Sequence, residues 1–120
     1  MKNNQSVGRI SHLITLDEAA AMNGRYRAEK DAILAKGVSL NILPICETFS
    51  RGDFDTLFAQ PGCTGVRIYL GMKDSLDISA VVVGVNGNNE DMINPDSLNN
   101  IIIENGFRCP ADCPPKSELN

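Results

Sequence analysis

Ile78-Ser79-Ala80-Val81-Val82-Val83-Gly84-Val85 is apolar on both faces and dominated by β-branched residues. A strand with one solvated face alternates apolar with polar positions. A run without alternation reads as a central strand covered on both sides. Any fold of this chain must therefore supply two layers of cover for residues 78–85, and that demand constrains the remaining elements.

The flanking segments supply further strands. Gly65 to Leu70 alternates, with Val66, Ile68 and Leu70 on one face and Arg67 and Tyr69 on the other, a half-buried strand. Gly71 to Leu76 turns the chain. Ile101-Ile102-Ile103 repeats the two-faced apolar pattern. Asn105-Gly106, between Ile103 and Phe107, predicts a hairpin, because both residues tolerate the positive φ of a type I′ turn.

The first half reads as helical. Thr15 and Glu18 form a capping box, in which each side chain satisfies an orphan N–H of the first turn. Ala19, Met22, Tyr26, Ile33 and Leu34 then recur at helical spacing as a core face, and Gly37 stands where a left-handed cap ends such a helix. Ser50 and Asp53 open a second, shorter helix whose apolar face is Phe54, Leu57 and Phe58, stopped by Pro61-Gly62. Its first residues, Arg51-Gly52-Asp53, resemble an adhesion tripeptide, but the start of a capped helix accounts for them. Val38 to Pro44 reads as an extended linker, since Pro44 argues against a central strand.

The expected fold is α+β: two N-terminal helices packed on a small antiparallel sheet of three or four strands, followed by an irregular Pro/Cys-rich tail. Residues 1–14 read as a flexible segment, 15–108 as one domain and 109–120 as the tail. Two helices cover one face of such a sheet. Val81, Val83, Ile101 and Ile103 on one face, or Val82 and Ile102 on the other, then need the tail or a second subunit, so a homo-oligomer is expected.

Charge and hydropathy exclude several partners. A net charge of -4, with Lys and Arg scattered, leaves no basic patch for nucleic acid or anionic lipid. The longest apolar run, about Ala80 to Val85, falls far short of the roughly 20 residues that span a bilayer. No apolar segment follows Met1-Lys2-Asn3-Asn4-Gln5-Ser6, so no secretory signal is expected and the cytoplasm is the expected compartment. Thiols there are usually free, metal-bound or redox-active.

The candidate chemistry lies in four cysteines. No cofactor is expected, although Cys46, Cys63, Cys109 and Cys113 together suit a tetrahedral zinc site. The close pair is spaced C-x₃-C rather than C-x₂-C, and Cys46 also fits a small apolar role beside Leu43-Pro44-Ile45. A Cys109–Cys113 disulfide is geometrically allowed but closes a short loop. Redox activity requires a cation or helix N-terminus near the thiolate, and Arg108 is the only adjacent cation, opposed by Asp112. Catalytic residues are not expected. His12 is the only histidine, no glycine-rich phosphate loop occurs, and Asn86, Asn88 and Glu90 lack the glycine and terminal glutamate of a calcium loop.

Prolines 110, 114 and 115 stiffen the tail and restrict it before it docks. Val66-Arg67-Ile68-Tyr69-Leu70-Gly71, Val81-Val82-Val83-Gly84-Val85 and Cys109-Pro110-Ala111-Asp112-Cys113-Pro114 together resemble a group of short Bacteroidetes-type bacterial proteins. That resemblance covers the chain from about Leu13 onward. It implies a bacterial origin, and the group carries no established activity or functional residues to transfer. The expected function is a non-enzymatic structural or protein-interaction domain that self-associates, with the tail as a clamp. The alternative is a small cysteine-based zinc or redox regulatory protein.

Overall fold

The computed structural model describes residues 11–120; the expected flexible segment 1–14 lies largely outside them. The elements follow the order α1 (Leu16–Glu29), a 3-10 turn (Leu40–Ile42), β1 (Cys46–Thr48), α2 (Arg51–Phe58), β2 (Cys63–Met72), β3 (Ile78–Asn86), β4 (Ile102–Ile103) and β5 (Phe107–Cys109). The fold is α+β, with one sheet in the order β2-β3-β4 and another pairing β1 with β5 antiparallel. Two compact units result. One holds Ser11, Phe49–Gly71 and Ala80–Gly106, and the other holds His12–Thr48, Met72–Ser79 and Phe107–Asn120.

The first unit carries the core. Leu57 of α2 is 0% exposed and packs with Val82 and Ile103, with Phe49, Phe54, Cys63, Val66 and Ile101 around them. Phe49, Phe54 and Phe58 stack in a tilted row with centroids 6.0 and 6.1 Å apart. β3 is the middle strand, and Val82, Val83, Gly84 and Val85 are all buried. Of the residues expected to lack cover, the single chain buries Val82, Val83 and Ile103, leaves Val81 and Ile101 half-buried and leaves Ile102 exposed. Part of the edge of β3 is held by the loop that follows it, through the Val85–Asp91 bridge and the Met92 N–H donating to the Gly84 carbonyl at 2.9 Å.

The faces of β2 and β4 also differ from the alternation. Val66 packs on the core, yet Ile68 and Leu70 are 61% and 80% exposed, while Arg67 is half-buried. Ile103 is buried and Ile102 exposed, so β4 is one-faced. Alternation fixes which residues share a face but not how far along that face the cover extends, and on β2 it reaches Val66 but not Ile68 or Leu70.

The Asn105-Gly106 hairpin is not formed. Asn105 takes φ 67°, but β4 pairs with β3 whereas β5 pairs with β1, so the chain changes sheets here. Gly106 is needed for a different reason. A Cβ on it would stand 2.7 Å from Cε1 of Phe49, so the ring packs directly on the backbone. Gly106→Ala should therefore cost about 1–3 kcal/mol in urea unfolding through overpacking, and Phe49→Leu in the same chain should recover most of that loss. Equal stability of Gly106→Ala and the wild type would show that the ring moves aside freely.

The second unit is built differently. Thr15 caps α1 with the full capping box, and its bonds hold the Glu18 carboxyl below the usual range. The helix ends at Glu29 rather than near Gly37, and successive turns follow, including Ala32 N–H to the Glu29 carbonyl and Leu34 N–H to that of Asp31. The expected core face of α1 is corrected as well, because none of its residues is buried. Ala19, Met22 and Tyr26 are too little apolar surface on one helix to order a core. Val38 to Pro44 contains the 3-10 turn rather than only extended chain, and Ser50 precedes α2 without a side-chain capping bond.

Hydrogen bonds hold this unit instead. The Arg108 guanidinium donates to the carbonyls of Asn41 (3.2 Å), Ile42 (3.1 Å) and Ile78 (2.9 Å) and pairs with Asp77 at 3.9 Å. Tyr26 donates to the Pro44 carbonyl at 2.7 Å, and burial raises its phenol pKa.

Candidate functional site

Two of the four cysteines, Cys46 and Cys109, share one face of the β1–β5 ladder. Cys46 opposes Cys109, Glu47 opposes Arg108 and Thr48 opposes Phe107. Side chains alternate along a strand, so Cys46, Thr48, Phe107 and Cys109 share one face and Glu47 and Arg108 the other. The second face is polar and occupied: Ser79 donates to Glu47 at 3.4 Å, and Arg108 makes the bonds described above. The first face carries the sulfur chemistry.

Cys109 is 3% exposed and forms a disulfide with Cys113, their Cα atoms 4.4 Å apart. The intervening residues turn sharply, with the Asp112 N–H donating to the Arg108 carbonyl at 2.7 Å. Cys113 itself lies on the surface. Next to it, Thr48, Phe107, Asp112, Cys113 and Pro114 line an open groove of about 430 Å³. An exposed sulfur, a proline and an exposed aromatic ring thus border one depression.

Cys46 and Cys63 are free and half-buried. Cys63 belongs to the other unit, where its Sγ lies 3.3 Å from the Gly65 carbonyl. The structure therefore brings together three of the four candidate zinc ligands, two of them already joined to each other. A disulfide sulfur is not the thiolate that zinc binds. Among the described residues, no group of three or more His, Cys, Asp or Glu side chains gathers as donors for a metal ion. His12 is exposed, and Arg51-Gly52-Asp53 forms the first turn of α2. Asn86 is used structurally: its side chain accepts from the N–H groups of Asn88 and Glu90 at 2.9 and 3.0 Å.

A polar cluster in the first unit is only half visible in the sequence. Arg67 pairs with Asp91 and Asn89, and the Tyr69 hydroxyl donates to the second Asp91 oxygen. The Tyr69 hydrogen bond, reinforced by Arg67, holds the Asp91 carboxyl below its usual range. A depressed folded-state value means the pair stabilises at neutral pH and that this contribution is lost as pH falls through the folded value. All three side chains reach solvent, so the cluster is worth little in free energy. It pins the loop after β3.

β1 carries little sequence signal, because it is only three residues long and follows Pro44. The alternation of Cys46, Glu47 and Thr48 is the one trace of it.

In comparison with known proteins, no family model, curated protein or solved structure matches the chain. Among the described residues, no helix is long and apolar enough to cross a membrane.

Proposed function

We propose that this chain is a non-enzymatic structural or protein-interaction module that self-associates along β2, its Pro/Cys-rich tail clamped to its own unit. The observation that carries the proposal is the exposure of Ile68 and Leu70, 61% and 80%, on the edge strand of the three-stranded sheet. Exposed edges are commonly protected by lysine, proline or a bulge. Val66 to Gly71 contains neither lysine nor proline, and its one charge, Arg67, is engaged by Asp91.

A second copy suits this edge. Two β2 strands meeting antiparallel about a two-fold axis satisfy each other's backbone groups and place like apolar residues together. Such an isologous contact closes at the dimer. The clamp is supported by α1, where Asn23 and Arg27 both donate to the Leu119 carbonyl, at 3.1 and 2.8 Å. A second reading, cysteine-based regulation, is favoured by the placement of Cys46 against Cys109.

Light scattering at micromolar concentration should give twice the 13.0 kDa monomer mass, and Leu70→Lys should return the monomer with unchanged circular dichroism. A wild-type monomer, or a Leu70→Lys dimer, would overturn the β2 interface.

A further inference from the structure

We propose that Cys109 is shared between two alternative disulfides, and that exchange to Cys46–Cys109 releases Cys113 as a reactive thiol facing the groove. The first observation is register. Directly opposed residues of an antiparallel pair have Cα atoms about 4.5–5.5 Å apart, within the roughly 4.4–6.8 Å that a disulfide bridges. Cys46 and Cys109 are such a pair, and Cys109 is also bonded to Cys113 from a Cα distance of 4.4 Å. One buried sulfur thus lies within bridging reach of two partners.

The second observation is the asymmetry of exposure. Cys109 is buried, Cys46 half-buried and Cys113 exposed. The central sulfur is shielded from external thiols, while the sulfur that leaves is solvated. Exchange balances internally. The Cys46 thiolate attacks Sγ of Cys109, the Cys46–Cys109 bond forms as the Cys109–Cys113 bond breaks, and Cys113 leaves as a thiolate that takes up the proton Cys46 lost. No oxidant is consumed. The bridge moves from a short local loop to one joining distant parts of the chain, and in the loop-entropy account the exchanged bridge stabilises the folded chain more against unfolding.

The third observation is the groove beside Cys113, bordered by Phe107 and Pro114. The released thiolate there attacks a disulfide-bearing partner, R–S–S–R, forming Cys113–S–S–R and expelling RS⁻. The chemical class of partner is a small or peptide disulfide. This inference stands apart from dimerisation along β2.

The test uses the full oxidised chain incubated with glutathione disulfide, quenched in acid, and peptide-mapped without reduction. The expected result is a glutathione adduct on Cys113 together with a Cys46–Cys109 link, and loss of the Cys113 adduct by tenfold or more in Cys46→Ser, with Cys63→Ser unchanged. An adduct on Cys46 alone, or equal Cys113 labelling in Cys46→Ser, would overturn the proposal. A second variant guards against misfolding of the first. Oxidised Cys113→Ser should lose two hydrogens in intact mass and map to Cys46–Cys109. A chain that retains three thiols, or that links Cys63, would sink the shared-sulfur arrangement.

Discussion

Replacing Leu57 with alanine should cost about 3–5 kcal/mol of unfolding free energy, a large part of the roughly 5–15 kcal/mol available to a domain. Leu57 is 0% exposed, and its neighbours Val82 and Ile103 sit on strands that cannot move independently. The residue opposite is Gly84, where an added Cβ would lie 3.4 Å from a Leu57 methyl. A glycine has no side chain to swing into the space, so the cavity stays. The thermal midpoint should fall by roughly 10–20 °C. Leu98→Ala is the control: that side chain is fully exposed, and its loss should change stability by less than about 0.5 kcal/mol. If the two variants unfold alike in urea, Leu57 is not the centre of this unit.

Arg108→Met should cost about 2–4 kcal/mol, for a different reason. The second unit has little buried apolar surface, so its cohesion rests on groups such as this guanidinium. Arg108 draws together carbonyls from Asn41, Ile42 and Ile78, and its side chain is only 13% exposed. Methionine preserves the stem but leaves those carbonyls without their donor. All three carbonyls accept from Nη2 while Nη1 faces Asp77, so Arg108→Lys, whose single nitrogen sits on a stem one bond shorter, should recover less than half. Hydrogen exchange separates this effect from that of Leu57→Ala. Protection should drop around residues 41–46 and 77–79 while the Leu57 core keeps its own. A uniform loss across both units would mean that Arg108 acts through global stability.

The contrast between these two substitutions explains how much of the fold is legible in the sequence. The β-branched run at 78–85 identifies the central strand, since only burial on both faces accommodates such a pattern. The Thr15–Glu18 box marks the start of α1, and Pro61-Gly62 marks the region after α2, because caps and stops act over a few residues. The stripe on α1 does not predict burial. Amphipathic spacing shows which residues share a face, and burial requires a partner surface that no helical period specifies.

The site divides in the same way. Four cysteines and a stiff tail are visible in the sequence, and the order of those residues defines every sulfur available for chemistry. That Cys46 stands across from Cys109 is not visible there, because the pairing joins strands separated by nearly half of the chain. Nor is it visible that Asn105-Gly106 redirects the backbone between sheets. The Gly106 contact with the Phe49 ring is long-range, and a local turn preference of about 1 kcal/mol yields to packing. By itself the sequence determined the start of α1, α2 and the strands β2 and β3, whose causes are local periodicity and caps. Only the tertiary structure decided which faces stay exposed and which sulfurs meet, because both depend on register between distant segments.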